Sequence, residues 1–150
     1  MKTWKKIAII VGAMVIVGAV IIIVVYQSKN NKPAQTSANA KPEMQVRAKR
    51  IWTDFSANPD IANKRFTGKV IQFDGQITRV EANDSICQVI FAYKAGKSGD
   101  EGMRVFMLPQ YCDEAKHINP FKPIMLKGLC TGYNGVDVIF KDGSIVAPQK

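Results

Sequence analysis

The sequence has one histidine, His117, and three cysteines, Cys87, Cys112 and Cys130, with no CxxC pair among them. It has no HExxH stretch, and no serine, histidine and aspartate stand in a pattern that supports a triad. These lacks remove the usual handles for a zinc site, for thioredoxin-type redox chemistry and for nucleophilic hydrolysis. His117, close to Pro120 and Phe121, reads as a surface or capping residue. The acidic pairs Asp100-Glu101 and Asp113-Glu114 read as solvated loop residues. Gly96-Lys97-Ser98 resembles the end of a phosphate-binding loop, but the first glycine of that motif would have to stand where Phe91 is. Asn83-Asp84-Ser85 fits a glycosylation acceptor and equally a turn, and the turn is preferred. The expectation is a protein that is not an enzyme and carries neither metal nor cofactor.

Acid is missing from one end of the chain. Residues 1–41 hold six lysines and no Asp or Glu, whereas residues 42–150 hold 15 Lys+Arg against 12 Asp+Glu. The overall charge of +9 therefore shrinks to +3 over residues 42–150. That is too little to imply a nucleic-acid partner by charge alone.

Charge is also missing from residues 7–26, which contain no Asn, Gln, Ser, Thr or Pro either. Twenty such residues at about 1.5 Å rise span about 30 Å, the thickness of a hydrocarbon core. A core helix would keep a polar face, and this run has none. Trp4 and Tyr26 flank it, where aromatic rings favour the headgroup region. A cleaved signal peptide is the competing reading, but its apolar core runs about 7–15 residues to a small-residue cleavage site. Here the run ends Val24-Val25-Tyr26-Gln27. The expectation is a single transmembrane helix over 7–26, with Ile7 at its start and residues 1–6 in the cytoplasm. Lys2, Lys5 and Lys6 outnumber Lys29 and Lys32, so the positive-inside bias places the C-terminal domain outside the cytoplasm.

Residues 27–42 lack large apolar side chains and read as a flexible tether with a reach of roughly 20–25 Å. Residues 43–147 form the expected domain. Met44, Ala48, Ile51 and Phe55 share one face of a helix over 43–57. Asn58-Pro59-Asp60 supplies an N-cap, a first-turn proline and a first-turn acid for a short helix over 59–65, which Thr67-Gly68 ends. From Lys69 the period becomes two. Ile71, Phe73, Gly75 and Ile77 alternate with polar residues along a first strand, with a bulge or bend at Gly75. A second strand covers 86–93, a mobile glycine-rich loop 94–102, a third strand 103–108 and one helical turn 113–118. A fourth strand covers 123–133, Asn134-Gly135 makes a tight turn, and a fifth strand covers 136–141, extended by 144–146. This is a mainly β chain. Five strands, the first long and bent, with a helical turn between the third and fourth, describe an OB-fold barrel preceded by one or two short helices.

The stretches Lys69-Val70-Ile71 with Gly75, Lys127-Gly128-Leu129-Cys130-Thr131-Gly132-Tyr133, and Asp137-Val138-Ile139-Phe140 with Ser144-Ile145-Val146 resemble the tRNA_anti-like OB-fold family. Asn58, Ala62, Phe66 and Gly68 resemble its helical lead-in, so the likeness covers about residues 44–147. The family's name describes a fold, and its members are largely uncharacterised and often exported or membrane-anchored. Members often carry a second cysteine near the end of the fifth strand, where this chain has Gly143. If the family pair is a disulfide, Cys130 must pair with Cys112 or Cys87, or no bridge forms. Cys112 with Cys130 is the expected pair, set beside the reading in which all three cysteines are small buried hydrophobes.

OB-folds bind single strands with basic grooves and stacking aromatics. The candidate stackers are Phe91, Tyr93 and Phe106, and the candidate phosphate contacts are Lys94, Lys97 and Arg104. Phe91 and Tyr93 share the parity of Val89, which makes them equally good core residues. The leading expectation is a protein, peptide or cell-envelope ligand on this face. Single-stranded nucleic acid on the cytoplasmic side is the alternative, disfavoured by the small domain charge.

Overall fold

The computed structural model describes residues 37–97 and 99–147. The expected transmembrane helix over 7–26 and the tether up to residue 36 lie outside the described residues. Among the described residues no helix is long and apolar enough to cross a membrane.

The chain opens with strand β1, Met44–Arg47, and then two helices, α1, Ala48–Ala57, and α2, Pro59–Phe66. Strands β2, Val70–Gln76, β3, Arg79–Ala82, β4, Cys87–Gly96, and β5, Gly99–Met107, follow. A 3-10 turn, Pro109–Tyr111, leads into a short helix α3, Cys112–Lys116. Strands β6, Pro123–Tyr133, and β7, Asp137–Ile145, complete the fold. They form one seven-stranded sheet in the order β1-β2-β6-β7-β5-β4-β3, with β1–β2 and β5–β7 parallel and the other pairs antiparallel. Because β2 and β3 are separated only by Ile77 and Thr78, the two ends of the β2-to-β3 run are halves of one bent strand. The sheet closes on itself as an OB-like barrel.

The strand count exceeds the expected five for two reasons. The first strand breaks at Ile77-Thr78, where it leaves β6 and joins β4: the Thr78 amide donates to the Ile90 carbonyl at 2.8 Å, and the Ala92 amide donates to Thr78 Oγ1 at 2.8 Å. Gly75, expected at the bend, serves packing instead, since a Cβ there would come within 3.0 Å of Ala48 Cβ and 3.1 Å of Phe91. The second reason is β1, which falls where a helix from residue 43 was expected. Met44 and Val46 turn inward between exposed Gln45 and Arg47, a period of two, and pair with Ile71 and Phe73. The helix starts only at Ala48.

Asn58 caps α2 as expected, its side chain accepting from the Ile61 amide at 3.2 Å. Gly68 ends the lead-in at φ +81°. The expected glycine-rich loop over 94–102 is largely strand: Lys94 pairs Glu101, Ala95 pairs Asp100 and Gly96 pairs Gly99. Position 102 must be glycine there, because a Cβ would collide with the Phe91 carbonyl. The tether also ends earlier than expected. Ser37 donates to the Asp142 carbonyl, and Lys127 Nζ donates to the carbonyls of Ala38 and Ala40 at 2.8 and 2.9 Å. Residues 37–42 therefore lie along β6 and β7, held by polar contacts that composition does not reveal.

The barrel interior is filled by Ile71, Phe73, Val89, Phe91, Met103, Val105, Leu126, Cys130, Val138 and Phe140, all fully buried. Phe73 lies 4.7 Å from Phe140 and 6.1 Å edge-on from Phe91, ring to ring. Ala48, Ile51 and Phe55 from α1, Phe66 from α2 and Ala115 from α3 join the same core. Each large side chain contributes about 1.5–3 kcal/mol by leaving water.

Candidate ligand-binding face

Strands alternate, so the residues between the core positions of β3, β4 and β5 point outward. Register sets Arg79, Ile90, Arg104 and Ile139 in one row, and Glu81, Gln88 and Phe106 in the next. Ile90 is only 2% exposed although it lies on the outer face. Its register neighbours on either side are the two arginines.

Both guanidiniums are held by carboxylates. Arg79 donates from Nε to Glu81 at 2.8 Å and from Nη1 to Asp100 at 2.9 Å. The Glu81 carboxylate also accepts from Gln88 at 2.7 Å. The hydrogen bond from Arg79 holds the Glu81 carboxyl below its ordinary pKa, and the bond to Glu81 raises that of Arg79. Arg104 donates from Nε to Asp137, whose other oxygen accepts from the Gly102 amide at 2.9 Å. Asp137 is buried. It is oriented by the turn that begins at Asn134, whose side chain accepts from the Asp137 amide at 2.7 Å. Lys94 meets Glu101 at 3.1 Å. A cleft of about 470 Å3 runs between the β4–β5 hairpin and the β6–β7 turn, lined by Lys94, Lys97, Glu101 and Val136 among others.

The expected site residues thus separate. Arg104 and Phe106 share the outer face, and Lys94 and Lys97 lie at the adjoining hairpin. Phe91 does not join them, because it is wholly buried in the barrel. Tyr93 also turns away. It keeps the inward parity of Val89 and Phe91, and packs on Trp52 of α1 with ring centroids 5.6 Å apart. Burial, with a smaller contribution from Asp74, pushes its hydroxyl well above the ordinary range. Sequence reasoning missed Arg79, Gln88 and Asp137. A row of polar residues in register across strands was the available signal, but it needs the pairing to be known.

The expected Cys112–Cys130 bridge does not form. Cys87 and Cys112 are joined, with Cα atoms 5.8 Å apart, and Cys130 is a free, buried thiol. The reason is topological: Cys130 points into the barrel from the middle of β6, while α3 brings Cys112 to the start of β4. The bridge lines a cleft of about 460 Å3 between the β3–β4 turn and α3. Burial pushes the Cys130 thiol up to about 11. Among the described residues no three His, Cys, Asp or Glu side chains cluster as metal ligands would.

The segment from β2 onward is balanced in charge. Residues 70–150 hold nine Lys/Arg and nine Asp/Glu, whereas residues 43–69 hold six and three. The +3 of the domain therefore belongs to the lead-in through β1, α1 and α2.

A bent first strand, a parallel β5–β7 pair and a helix between β5 and β6 define an OB-like barrel. The chain matches the model of the tRNA_anti-like family over residues 1–144 and belongs to that family. No curated protein matches it in sequence. A crystal structure of a candidate nucleic acid-binding lipoprotein from Klebsiella pneumoniae is similar at 10% identity and a TM-score of 0.51, covering 78% of this chain and 100% of that one. At that identity the likeness concerns the fold.

Proposed function

We propose that this chain is a non-enzymatic binding module, anchored in a membrane through residues 7–26, that receives a protein, peptide or cell-envelope ligand outside the cytoplasm. The reading is carried by one observation: every arginine on the β3–β4–β5 face is already neutralised by a carboxylate of the same face. A polyanion would have to displace or tolerate Glu81, Asp100 and Asp137. A ligand with amide and hydroxyl groups meets a preformed polar surface around Phe106. The test is photo-crosslinking from position 106 in intact membranes, followed by isolation of the full chain in detergent. The expected result is one stoichiometric adduct that Arg104→Ala weakens about tenfold. Recovery of the bare chain alone speaks against the proposal.

A second reading is single-stranded nucleic-acid binding, which the description of the Klebsiella protein favours. It requires a cytoplasmic domain. A reporter fused to the C-terminus separates the two, since cytoplasmic reporter activity sinks the first reading. A binding constant for oligonucleotides that falls steeply with salt would support the second.

A further inference from the structure

The excess of positive charge in the lead-in has a definite location. On α2, Ile61 shares a helix face with Lys64 and Arg65 by i,i+3 and i,i+4 spacing, and it is 64% exposed. Arg65 and Arg50 of α1 both bind Asp54, at 3.1 and 2.8 Å. Lys69 Nζ donates to the Arg65 carbonyl at 2.6 Å, which brings a further ammonium to the same surface. Lys64 has no ion-pair partner among the described residues. Among the described residues Lys64 and Lys69 meet no carboxylate, and Arg50 and Arg65 share the one carboxylate of Asp54 in the cleft that Ile61 lines. The surface shows the combination that suits a bilayer interface, a cationic rim for headgroups and an apolar centre for the acyl boundary.

The course of the chain supports this occupant. The chain before β1 meets the barrel where Ser37 binds the Asp142 carbonyl, beside Lys141. Lys141 pairs with Leu129, and Leu129 pairs with Val70, the residue after Lys69. Two strand spacings, about 10 Å, separate the entry point from the end of the patch. Residues 27–36 connect that point to the apolar run and reach at most about 35 Å. A bilayer that holds residues 7–26 is therefore within reach of the patch. The ligand face lies on β3, β4 and β5, across the barrel from β6.

We infer that the α1–α2 surface around Ile61 lies against an anionic phospholipid bilayer, the one that holds residues 7–26. This rests on the anchor reading above. The test places the full chain in lipid nanodiscs of phosphatidylcholine alone, or with one third phosphatidylglycerol, and follows amide exchange over residues 59–69. Exchange is expected to be about fivefold slower in the anionic discs. It should return to the phosphatidylcholine rate in molar salt, where the Debye length is about 3 Å. The double variant Lys64→Glu, Lys69→Glu should abolish the difference and leave exchange in β4 and β5 unchanged, which shows that the domain stays folded. Equal exchange in both lipids, with the chain inserted in both, overturns the contact and leaves the anchor standing. A chain that elutes apart from the discs overturns both. Protection of residues 59–69 by added single-stranded RNA in phosphatidylcholine discs, without protection by phosphatidylglycerol, also overturns it, by assigning the patch to nucleic acid.

Discussion

Along β6 and β7, the outside of the barrel is occupied by residues 37–40 of the chain itself: Lys127 gives its ammonium to the carbonyls of Ala38 and Ala40, and Ser37 binds Asp142. Along β3, β4 and β5, polar side chains satisfy one another across the strands, as Arg79 does with Glu81 and Asp100. The two walls are built on the same inward pattern and differ only in what meets their outward groups. A wall whose polar groups are bound by backbone carbonyls is fixed by folding. One whose side chains pair laterally keeps donors and acceptors that a ligand can share without leaving buried charges bare.

The strongest way to break this comparison is Phe91→Ala. If Phe91 belonged to the open wall as a stacking residue, its loss would spare stability. As a core residue, it should cost about 3–5 kcal/mol in urea unfolding. Cys112→Ser comes next. Removing a bridge across 25 residues should cost about 3 kcal/mol in oxidised protein and nothing in reduced protein, a difference visible in paired melting curves. Asp137→Ala sharpens the comparison, because it leaves Arg104 and the Gly102 amide without their acceptor. It should cost about 2–3 kcal/mol by denaturant titration, and Asp137→Asn should recover part of that.

The Cys130 thiol gives a pH test from inside the covered wall. Its folded pKa is raised from 9.0 to about 11, so the folded state resists ionisation. Its contribution is fully present below pH 9 and is lost as pH rises to about 11, on the order of 2 kcal/mol. Cys130→Ala should flatten the unfolding midpoint across that window, whatever it costs at neutral pH. Burial of Tyr93 adds a separate loss at higher pH, which Tyr93→Phe removes. The smallest effect is Lys127→Ala, about 1 kcal/mol, read best as faster proteolysis at residues 37–43.

Local chemistry made much of the fold readable. The Asn58 cap, the Asn134-Gly135 turn and the alternation along β2 each express a rule that acts within a few residues. Met44–Arg47 was misread because four residues fit a helix face and a strand alternation equally well, and only pairing with β2 decides. The β4–β5 hairpin was misread because its glycines signal close approach as well as turns, and Gly102 is required by the Phe91 carbonyl. The candidate face was half legible. Arg104 and Phe106 were visible, but Phe91 and Tyr93 both follow the inward parity of Val89, the core reading that the alternation offered beside the stacking one. Asp137 and the Cys87–Cys112 pair depend on contacts between residues 25 to 35 positions apart, which spacing does not encode.

The bridge joins the first two of the three cysteines in chain order. On the proposed topology the domain is translocated behind its anchor, so an oxidising compartment would receive Cys87, then Cys112, before Cys130. Oxidation in order of arrival yields the native pair, and the third cysteine emerges with no partner left and a barrel to bury it. Such a chain would need an oxidant but little help in sorting its disulfides.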